Sequence, residues 1–109
     1  MLEYNEDQIY HMHRYPIKVM LDAVKDYDVR VICFGSTVKG TADWRSDIDI
    51  AFMSKNVEDD ATVYCALLDA QTDEDYPFFE RDIIPMRKMK QGCQLLSELD
   101  KGMLLKDFK

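Results

Sequence analysis

Two apolar segments joined by a short polar segment constrain the fold of this chain more than any other feature. Residues 29–34 (VRVICF) are β-branched and aromatic, as is typical of a strand, and Gly35 ends them. Residues 48–53 (IDIAFM) are apolar except for Asp49, which predicts a second, largely buried strand. A buried carboxylate is costly unless it is protonated, paired or bound to a metal ion, so Asp49 is a candidate functional residue.

The spacing of two aspartates strengthens this interpretation. Side chains two residues apart on a strand point to the same face, so Asp47 and Asp49 should lie side by side, roughly 6–7 Å apart at their Cα atoms. Paired carboxylates suit Mg²⁺, which commonly takes one or two of them together with substrate phosphates. Gly35 and Ser36 form a small-residue turn after the first strand, and a helix beginning there presents free N–H groups to phosphate. Together they suggest a nucleoside triphosphate site.

Each of these features has a simpler explanation when it is taken alone. A Gly-Ser turn is usually a plain connection, and an Asp-x-Asp pair is usually two solvated acids at a strand end. An EF-hand calcium loop needs more oxygen ligands, and it needs a glycine where this chain has residues 50–52 (IAF). Their joint occurrence at fixed spacing favours the functional interpretation.

The combined pattern resembles the signature of the polymerase-β-type nucleotidyltransferases, and most closely that of the minimal nucleotidyltransferases. It comprises Gly35, Ser36, Gly40, Ser46, Asp47 and Asp49. Relatives carry a third carboxylate on a later strand, and residues 81–85 (RDIIP) resemble that motif through Asp82. Glu80 would share a strand face with Asp82 and stays an alternative. Thr37 departs from the family, in which many members have arginine or an aromatic residue.

This resemblance implies the fold, the reaction and the roles of the motif residues. The implied fold is α+β, with a small mixed sheet of three to four strands flanked by helices. The implied reaction transfers AMP from ATP to a hydroxyl group and uses two Mg²⁺ ions. Asp47, Asp49 and Asp82 would be the catalytic and metal-binding residues, and Asp82 would also take the acceptor's proton. The phosphate-binding residues would be Gly35, Ser36, Lys39, Gly40 and Ser46.

The resemblance also suggests an acceptor. Minimal nucleotidyltransferases are often paired with a small helical protein of the HEPN type, as antitoxin and toxin, and they silence this ribonuclease by adding AMP to it. Adenylylation of such a partner is the expected function. Modification of a small hydroxylated molecule, as in aminoglycoside nucleotidyltransferases, is one alternative. Masking of a partner by contact, without chemistry, is the other.

Length and charge narrow the remaining classes. A chain of 109 residues is expected to form one domain over residues 1–109, with residues 1–14 as an N-terminal extension. The net charge of −7 disfavours a nucleic-acid partner, because such binding needs a basic face. No apolar run of membrane-spanning length and no signal peptide are apparent, so a cytoplasmic location without membrane contact is expected. The three cysteines are expected to be buried reduced thiols.

The rest of the chain predicts elements without chemistry of their own. Asn5 is expected to cap a short helix, and Pro16 to begin a helix that ends near Asp26. His11 and His13 are interpreted as surface residues, because residues two apart do not share a helix face. A second helix carries apolar residues at positions 61, 64, 65 and 68. Residues 77–84 predict the third strand, 89–99 a final helix with residues 95, 96 and 99 inward, and 103–105 a short strand or docked tail.

Overall fold

The computed structural model describes residues 1–90 and 92–109. Within these residues the chain forms five strands and four α-helices. They are β1 (Leu2–Glu3), α1 (Arg14–Ala23), β2 (Val29–Phe34), α2 (Ser36–Lys39), β3 (Ile48–Ser54), α3 (Asp60–Asp69), β4 (Arg81–Pro85), α4 (Gln94–Asp100) and β5 (Met103–Lys106). Short 3₁₀ helices lie at Glu6–Gln8, His11–His13, Val57–Asp59 and Met86–Lys88.

The strands form one mixed sheet in the order β1-β5-β2-β3-β4. β2 pairs antiparallel with β3 and with β5, whereas β3–β4 and β1–β5 are parallel. The predicted α+β class with a mixed sheet is therefore confirmed. The described residues form five strands rather than three or four, because β5 pairs with β2 and the two-residue β1 pairs with β5.

The centre of the sheet is formed by the two apolar segments of the sequence. β2 has the predicted bounds, and it pairs with β3 over six residues, from Val29 opposite Ser54 to Phe34 opposite Asp49. Both strands bury nearly every side chain, and Asp49 is only partly exposed. This pairing brings the end of β2, where Gly35 follows, beside the start of β3, where the aspartates lie.

Helices α1 and α3 cover one side of the sheet, which we call the packed face. Ile17 and Met20 of α1, Val24 just after it, and Val63 and Leu67 of α3 are the residues that these two helical segments contribute. They meet a layer of buried sheet side chains that are at most 7% exposed: Val29, Val31, Cys33, Ile48, Ile50, Phe52, Ile83 and Met103. This is the main hydrophobic core.

The opposite side of the sheet, which we call the open face, has a smaller apolar cluster. Ile32, Phe34 and Ala51 are buried there beneath Leu99 of α4. Asp49 and Asp82 belong to this face as well, because side chains alternate along β3 and β4. The open face therefore combines an apolar patch under α4 with a polar end.

Several element boundaries differ from the sequence-based expectations. β4 begins at Arg81 rather than at Pro77, although Phe79 is buried and Phe78 is exposed, as the alternation predicts. α1 ends at Ala23 instead of near Asp26. α4 spans Gln94–Asp100, so the predicted start at residue 89 is wrong, and Gln91 within that prediction lies outside the described residues. Leu95 is exposed rather than inward.

Other local expectations are confirmed or corrected. Asn5 caps the first 3₁₀ helix by accepting a hydrogen bond from the backbone N–H of Asp7. All three cysteines are free thiols, but only Cys33 is buried, and burial raises its pKa to about 12. Cys65 is exposed and Cys93 is partly exposed, so the expectation of burial is wrong for those two. None of the helices within residues 1–90 and 92–109 has the length and apolar character needed to cross a membrane.

Candidate active site

The Gly-Ser turn connects β2 to the short helix α2. Gly35 has φ 79° and ψ −154°, a conformation that side chains disfavour. A Cβ atom at this position would also collide with the carboxylate of Asp49. Glycine is therefore required here for two reasons, and its lack of a side chain lets Asp49 lie directly against the turn.

The second glycine of the pattern ends α2. Gly40 has φ 79° in the left-handed region, and its N–H donates to the carbonyl of Ser36. Nothing lies within 4 Å of where its Cβ would be, so backbone conformation rather than crowding favours glycine. The spacing between Gly35 and Gly40 thus corresponds to one four-residue helix with a glycine at each end.

Two of the predicted carboxylates lie side by side on neighbouring strands. Asp49 of β3 is the direct partner of Asp82 of β4 in the parallel register. Asp47 precedes β3 and is exposed, as is Asp82, whereas Asp49 is partly buried. The structure thus brings all three to the same end of the open face, where Asp49 lies against the turn at Gly35.

The surroundings of Asp49 raise its pKa. The pKa of Asp49 is raised from 3.8 to about 6, chiefly by burial and in addition by the charges of Asp82, Asp47 and Glu98, against the opposing effect of Lys39. A carboxyl group with a pKa raised by burial and by like charges is a common property of functional sites. A cation bound beside these carboxylates would relieve the repulsion among them.

The alternative third carboxylate, Glu80, has a different environment. It precedes β4, its side chain is exposed, and its backbone carbonyl accepts a hydrogen bond from Ile48 N–H at 2.9 Å. It is not among the charges that shift the pKa of Asp49, whereas Asp82 is. The register therefore favours Asp82 over Glu80 as the third member of the cluster.

Lys39 borders the cluster from α2. Its ammonium group forms an ion pair with Glu98 of α4 at 2.6 Å, and this pair lowers the pKa of Glu98. Both side chains are partly exposed, so the pair is weak by itself. The pair nevertheless keeps the ammonium group of Lys39 near Asp49, and it connects α4 to the turn.

Ser46 has a structural position in the segment that enters β3. Its hydroxyl accepts a hydrogen bond from Asp43 N–H at 2.9 Å, and its own N–H donates to the carbonyl of Asp43 at 3.0 Å. Asp43 also accepts a hydrogen bond from the backbone N–H of Arg45. Ser46 thus closes a tight turn immediately before Asp47, and that turn sets the direction in which Asp47 leaves the segment.

His13 is the residue that sequence reasoning missed. It is 0% exposed, so the expectation that it lies on the surface is wrong, whereas His11 is exposed. Its Nε2 lies 3.1 Å from the carbonyl oxygen of Ser46, and its Nδ1 lies 2.8 Å from Oγ1 of Thr37. A carbonyl can only accept, so Nε2 carries the proton and Nδ1 accepts from the Thr37 hydroxyl.

The environment of His13 disfavours its charged form. Burial lowers its pKa, and its ring packs edge-on against Tyr10 and Phe79. Its two hydrogen bonds join α2 to the segment before Asp47. The spacing of the two histidines carried no signal for this contact, because the bridge spans 24 residues to Thr37 and 33 to Ser46.

The donor set fits a hard divalent cation in an open site. Among the described residues, no three histidine, cysteine or acidic side chains are close enough to enclose a metal ion by themselves. Mg²⁺ does not need such a cage, since it keeps several waters and completes its coordination with substrate phosphates. A cluster of three aspartates at the surface is compatible with this mode of binding.

Comparison with known proteins gives a family for most of the chain. A family model described as a nucleotidyltransferase domain matches residues 17–103, which include the turn, the three aspartates and every helix and strand from β2 to α4. No curated protein matches the chain.

Proposed function

The chain belongs to the nucleotidyltransferase domain family, and from this premise we propose that it transfers AMP from ATP to a hydroxyl group of a partner protein, with release of pyrophosphate. The observation that carries the proposal is the pairing of Asp49 with Asp82 next to the turn at Gly35. The carboxylates can bind cations, and the glycine beside them leaves the backbone of the turn open to a triphosphate.

In this proposal Asp47, Asp49 and Asp82 hold two Mg²⁺ ions. When bound, these ions supply charge neutralisation for the triphosphate and for the leaving pyrophosphate. The high pKa of Asp49 supports the assignment, because a carboxylate in excess negative charge gains most from a nearby cation. The chain's contribution is therefore to hold three negative groups together on a rigid sheet.

The turn is proposed to bind the triphosphate. Gly35 leaves its peptide accessible, and Ser36 follows at the start of α2. Lys39 is proposed to exchange its contact with Glu98 for the triphosphate, since a partly exposed ion pair costs little to break. Gly40 and Ser46 contribute indirectly, because one ends the helix of the turn and the other closes the bend before Asp47.

Asp82 is proposed to accept the proton of the acceptor hydroxyl. Its carboxylate is exposed at the outer strand of the described sheet, so a hydroxyl on a large molecule can approach it. The proton leaves the hydroxyl as its oxygen forms the bond to the α-phosphorus, and the bond from that phosphorus to the pyrophosphate breaks. The products are the adenylylated acceptor and pyrophosphate.

A protein acceptor is favoured by the openness of the site and by charge. The net charge of −7 opposes a nucleic-acid acceptor. The resemblance to minimal nucleotidyltransferases suggests a helical HEPN-type ribonuclease as the acceptor and an antitoxin role for this chain. We place the reaction in the cytoplasm, where the three free thiols stay reduced.

The test is the intact mass of a co-expressed HEPN-type neighbour protein after incubation with this chain, ATP and Mg²⁺. We expect a gain of one or more AMP units. The gain should disappear with Asp47→Ala/Asp49→Ala and persist with Asp75→Ala, an exposed aspartate that is not among the charges shifting the pKa of Asp49. A stable complex without a mass gain would replace transfer by masking, and neither complex nor gain would point to a small hydroxylated acceptor.

A further inference from the structure

The N-terminal extension meets the candidate active site through one buried side chain, that of His13. This residue belongs to residues 1–14, whereas the family match begins at residue 17. Burying a polar ring is costly unless its nitrogens are hydrogen-bonded. Both ring nitrogens of His13 are hydrogen-bonded, and both bonds go to segments that carry candidate site residues. Membership of the family does not account for this contact, because the contact begins outside the matched residues.

Three segments of the site converge on this ring. Nδ1 accepts a hydrogen bond from the hydroxyl of Thr37 in α2 at 2.8 Å, and Nε2 donates to the carbonyl of Ser46, immediately before Asp47, at 3.1 Å. The ring also packs edge-on against Phe79, with centroids 4.7 Å apart, in the segment that leads into β4. The first segment follows the turn at Gly35, and the other two lead into the strands that carry Asp49 and Asp82.

The sheet by itself does not fix the two segments that the hydrogen bonds of His13 join. The ladder between β2 and β3 ends at the pair Phe34–Asp49, so α2 and Asp47 both lie beyond it. After Phe34 the chain turns into α2, and it returns to the sheet through residues 41–47. A buried bridge across this opening therefore holds two parts of the site that the ladder leaves separate.

The extension holds Thr37 by its backbone as well. The side chain of Thr37 is 1% exposed, and its carbonyl accepts a hydrogen bond from Tyr10 N–H at 3.0 Å. The ring of Tyr10 in turn packs edge-on against His13, with centroids 4.9 Å apart. Because α2 has only four residues, fixing Thr37 at two points fixes the position of the whole helix.

We propose that His13 is a positioning residue, which holds α2 and the segment before Asp47 at the separation that one metal–triphosphate complex needs. This inference rests on the function proposed above, and it makes the N-terminal extension part of the site. Such a complex contacts both segments at once, so a fixed separation lets the cation strengthen the binding of the triphosphate. Without the bridge, each segment still binds its own half of the complex, but the two halves reinforce each other less.

The test measures how strongly Mg²⁺ tightens nucleotide binding. Isothermal titration calorimetry of the full chain uses α,β-methylene-ATP, in which the bond that transfer would break is replaced, and gives its dissociation constant with Mg²⁺ and with EDTA. We expect Mg²⁺ to tighten binding at least about tenfold in the wild type, and Thr37→Val to lower this factor at least about fivefold. Valine keeps the size of the side chain and removes only the hydroxyl that bonds to His13.

Two further variants complete the test. His13→Asn is too short to reach the Ser46 carbonyl, so it should lower the Mg²⁺ factor at least as much as Thr37→Val. Tyr76→Phe is the matched control and should keep the wild-type factor. It also removes one hydroxyl hydrogen bond to the extension, from Tyr76 to the Met12 carbonyl at 2.7 Å, but this bond involves neither α2 nor the segment before Asp47.

The ratio of the two dissociation constants distinguishes positioning from a merely structural role. A smaller folded fraction weakens binding with and without Mg²⁺ by the same factor, so it cancels in the ratio. Thermal melting shows which variants fold, and if His13→Asn does not, Thr37→Val decides alone. A Mg²⁺ factor that the folded bridge variants leave unchanged would overturn the inference, and so would an equal fall in Tyr76→Phe.

Failure of the proposed function has a different signature. A partner that gains no AMP, while the wild-type chain still binds the analogue more tightly with Mg²⁺, would reject transfer and leave the role of His13 to be decided by the Mg²⁺ factor. A wild-type chain that does not bind the analogue in the presence of Mg²⁺ would overturn both.

Discussion

The packed and open faces of the sheet use the same strands for different purposes. On β3, Ile48, Ile50 and Phe52 point to the packed face and are at most 1% exposed. Asp49 and Ala51 occupy the alternate positions, and Asp47 immediately precedes the strand. One strand therefore supplies the centre of the core and the centre of the candidate active site, one residue apart.

This difference shows how an unfavourable site is held in place. The charge of Asp49 is destabilised by burial and by its neighbours. The strand cannot move away to relieve this, because the packed face holds it through side chains that would lose their burial. The open face can thus keep an arrangement that suits a cation and a triphosphate rather than the unliganded chain.

The largest effect is expected for a substitution that lowers the transfer rate and leaves the fold intact. Asp49→Asn should lower the transfer rate by roughly a thousandfold, because a charge that holds the cations is worth several kcal/mol in the transition state. The fold should persist, since the amide has nearly the same shape. Rates from product mass, combined with thermal melting, check this. An Asp49→Asn variant that transfers AMP at the wild-type rate would remove the open face from the mechanism.

On the packed face, Phe52→Ala should lower the stability of the fold rather than remove a catalytic group. Loss of a large, fully buried side chain leaves a cavity and should lower the free energy of unfolding by about 3–5 kcal/mol. Urea denaturation measures this change. Val57→Ala, at an exposed position, is the control and should change stability little. If Phe52→Ala unfolded at the same urea concentration as wild type, the packed face would not be the source of stability.

His13 joins α2 to the segment before Asp47, and its substitution should have the next largest effect. His13→Ala removes a buried ring and leaves the Thr37 hydroxyl and the Ser46 carbonyl without their partner. We expect a loss of about 2–4 kcal/mol in unfolding free energy. His11→Ala, at an exposed position, should be nearly neutral. Equal effects of the two substitutions in urea denaturation would contradict this description of His13.

The smallest effect concerns pH. The pKa of Asp49 is raised from its ordinary value of 3.8 to about 6 in the folded protein, so between these values the folded state binds more protons than the unfolded state. Stability should therefore fall as pH rises from about 4 to above 6. Because the side chain is partly exposed and screened by solvent, we expect about 1–2 kcal/mol rather than the full linkage value.

Asp49→Asn isolates this contribution. Without Mg²⁺, the variant should match the wild type near pH 4 and exceed it by that amount near pH 7.5, as measured by urea denaturation at both pH values. Asp75→Asn, at an exposed position, is the matched control for the substitution itself. A stability difference between Asp49→Asn and wild type that does not change with pH would mean that Asp49 is not strained in the folded state.

The strand–turn–strand unit that carries the candidate site was predictable, because neighbouring residues in the sequence determine it. The β-branched and aromatic residues at 29–34 and the apolar residues at 48–53, together with the glycine after the first segment, correctly predicted β2, the turn and β3. Turn chemistry and the two-residue period act between neighbours, so a short segment contains the whole signal. The third strand was less predictable: Pro77 to Glu80 alternate as a strand does, yet the β4 ladder begins at Arg81.

Helix α3 shows where local patterns stop being decisive. Positions 61, 64, 65 and 68 and positions 63 and 67 both fit helical spacing, and only packing against the sheet selected the second set for burial. The same holds for β5, whose place between β1 and β2 depends on a partner strand about 70 residues earlier in the chain.

By itself, the sequence determined the strand–turn–strand unit, the common face of Asp47 and Asp49, and the glycines that the turn requires. Tertiary structure alone decided that Asp82 lies beside Asp49, that His13 joins Thr37 to Ser46, and that Lys39 meets Glu98. The physical reason is the range of the interactions. Backbone preference and side-chain alternation are properties of adjacent residues, whereas strand register, buried hydrogen bonds and ion pairs exist only after distant segments have packed together.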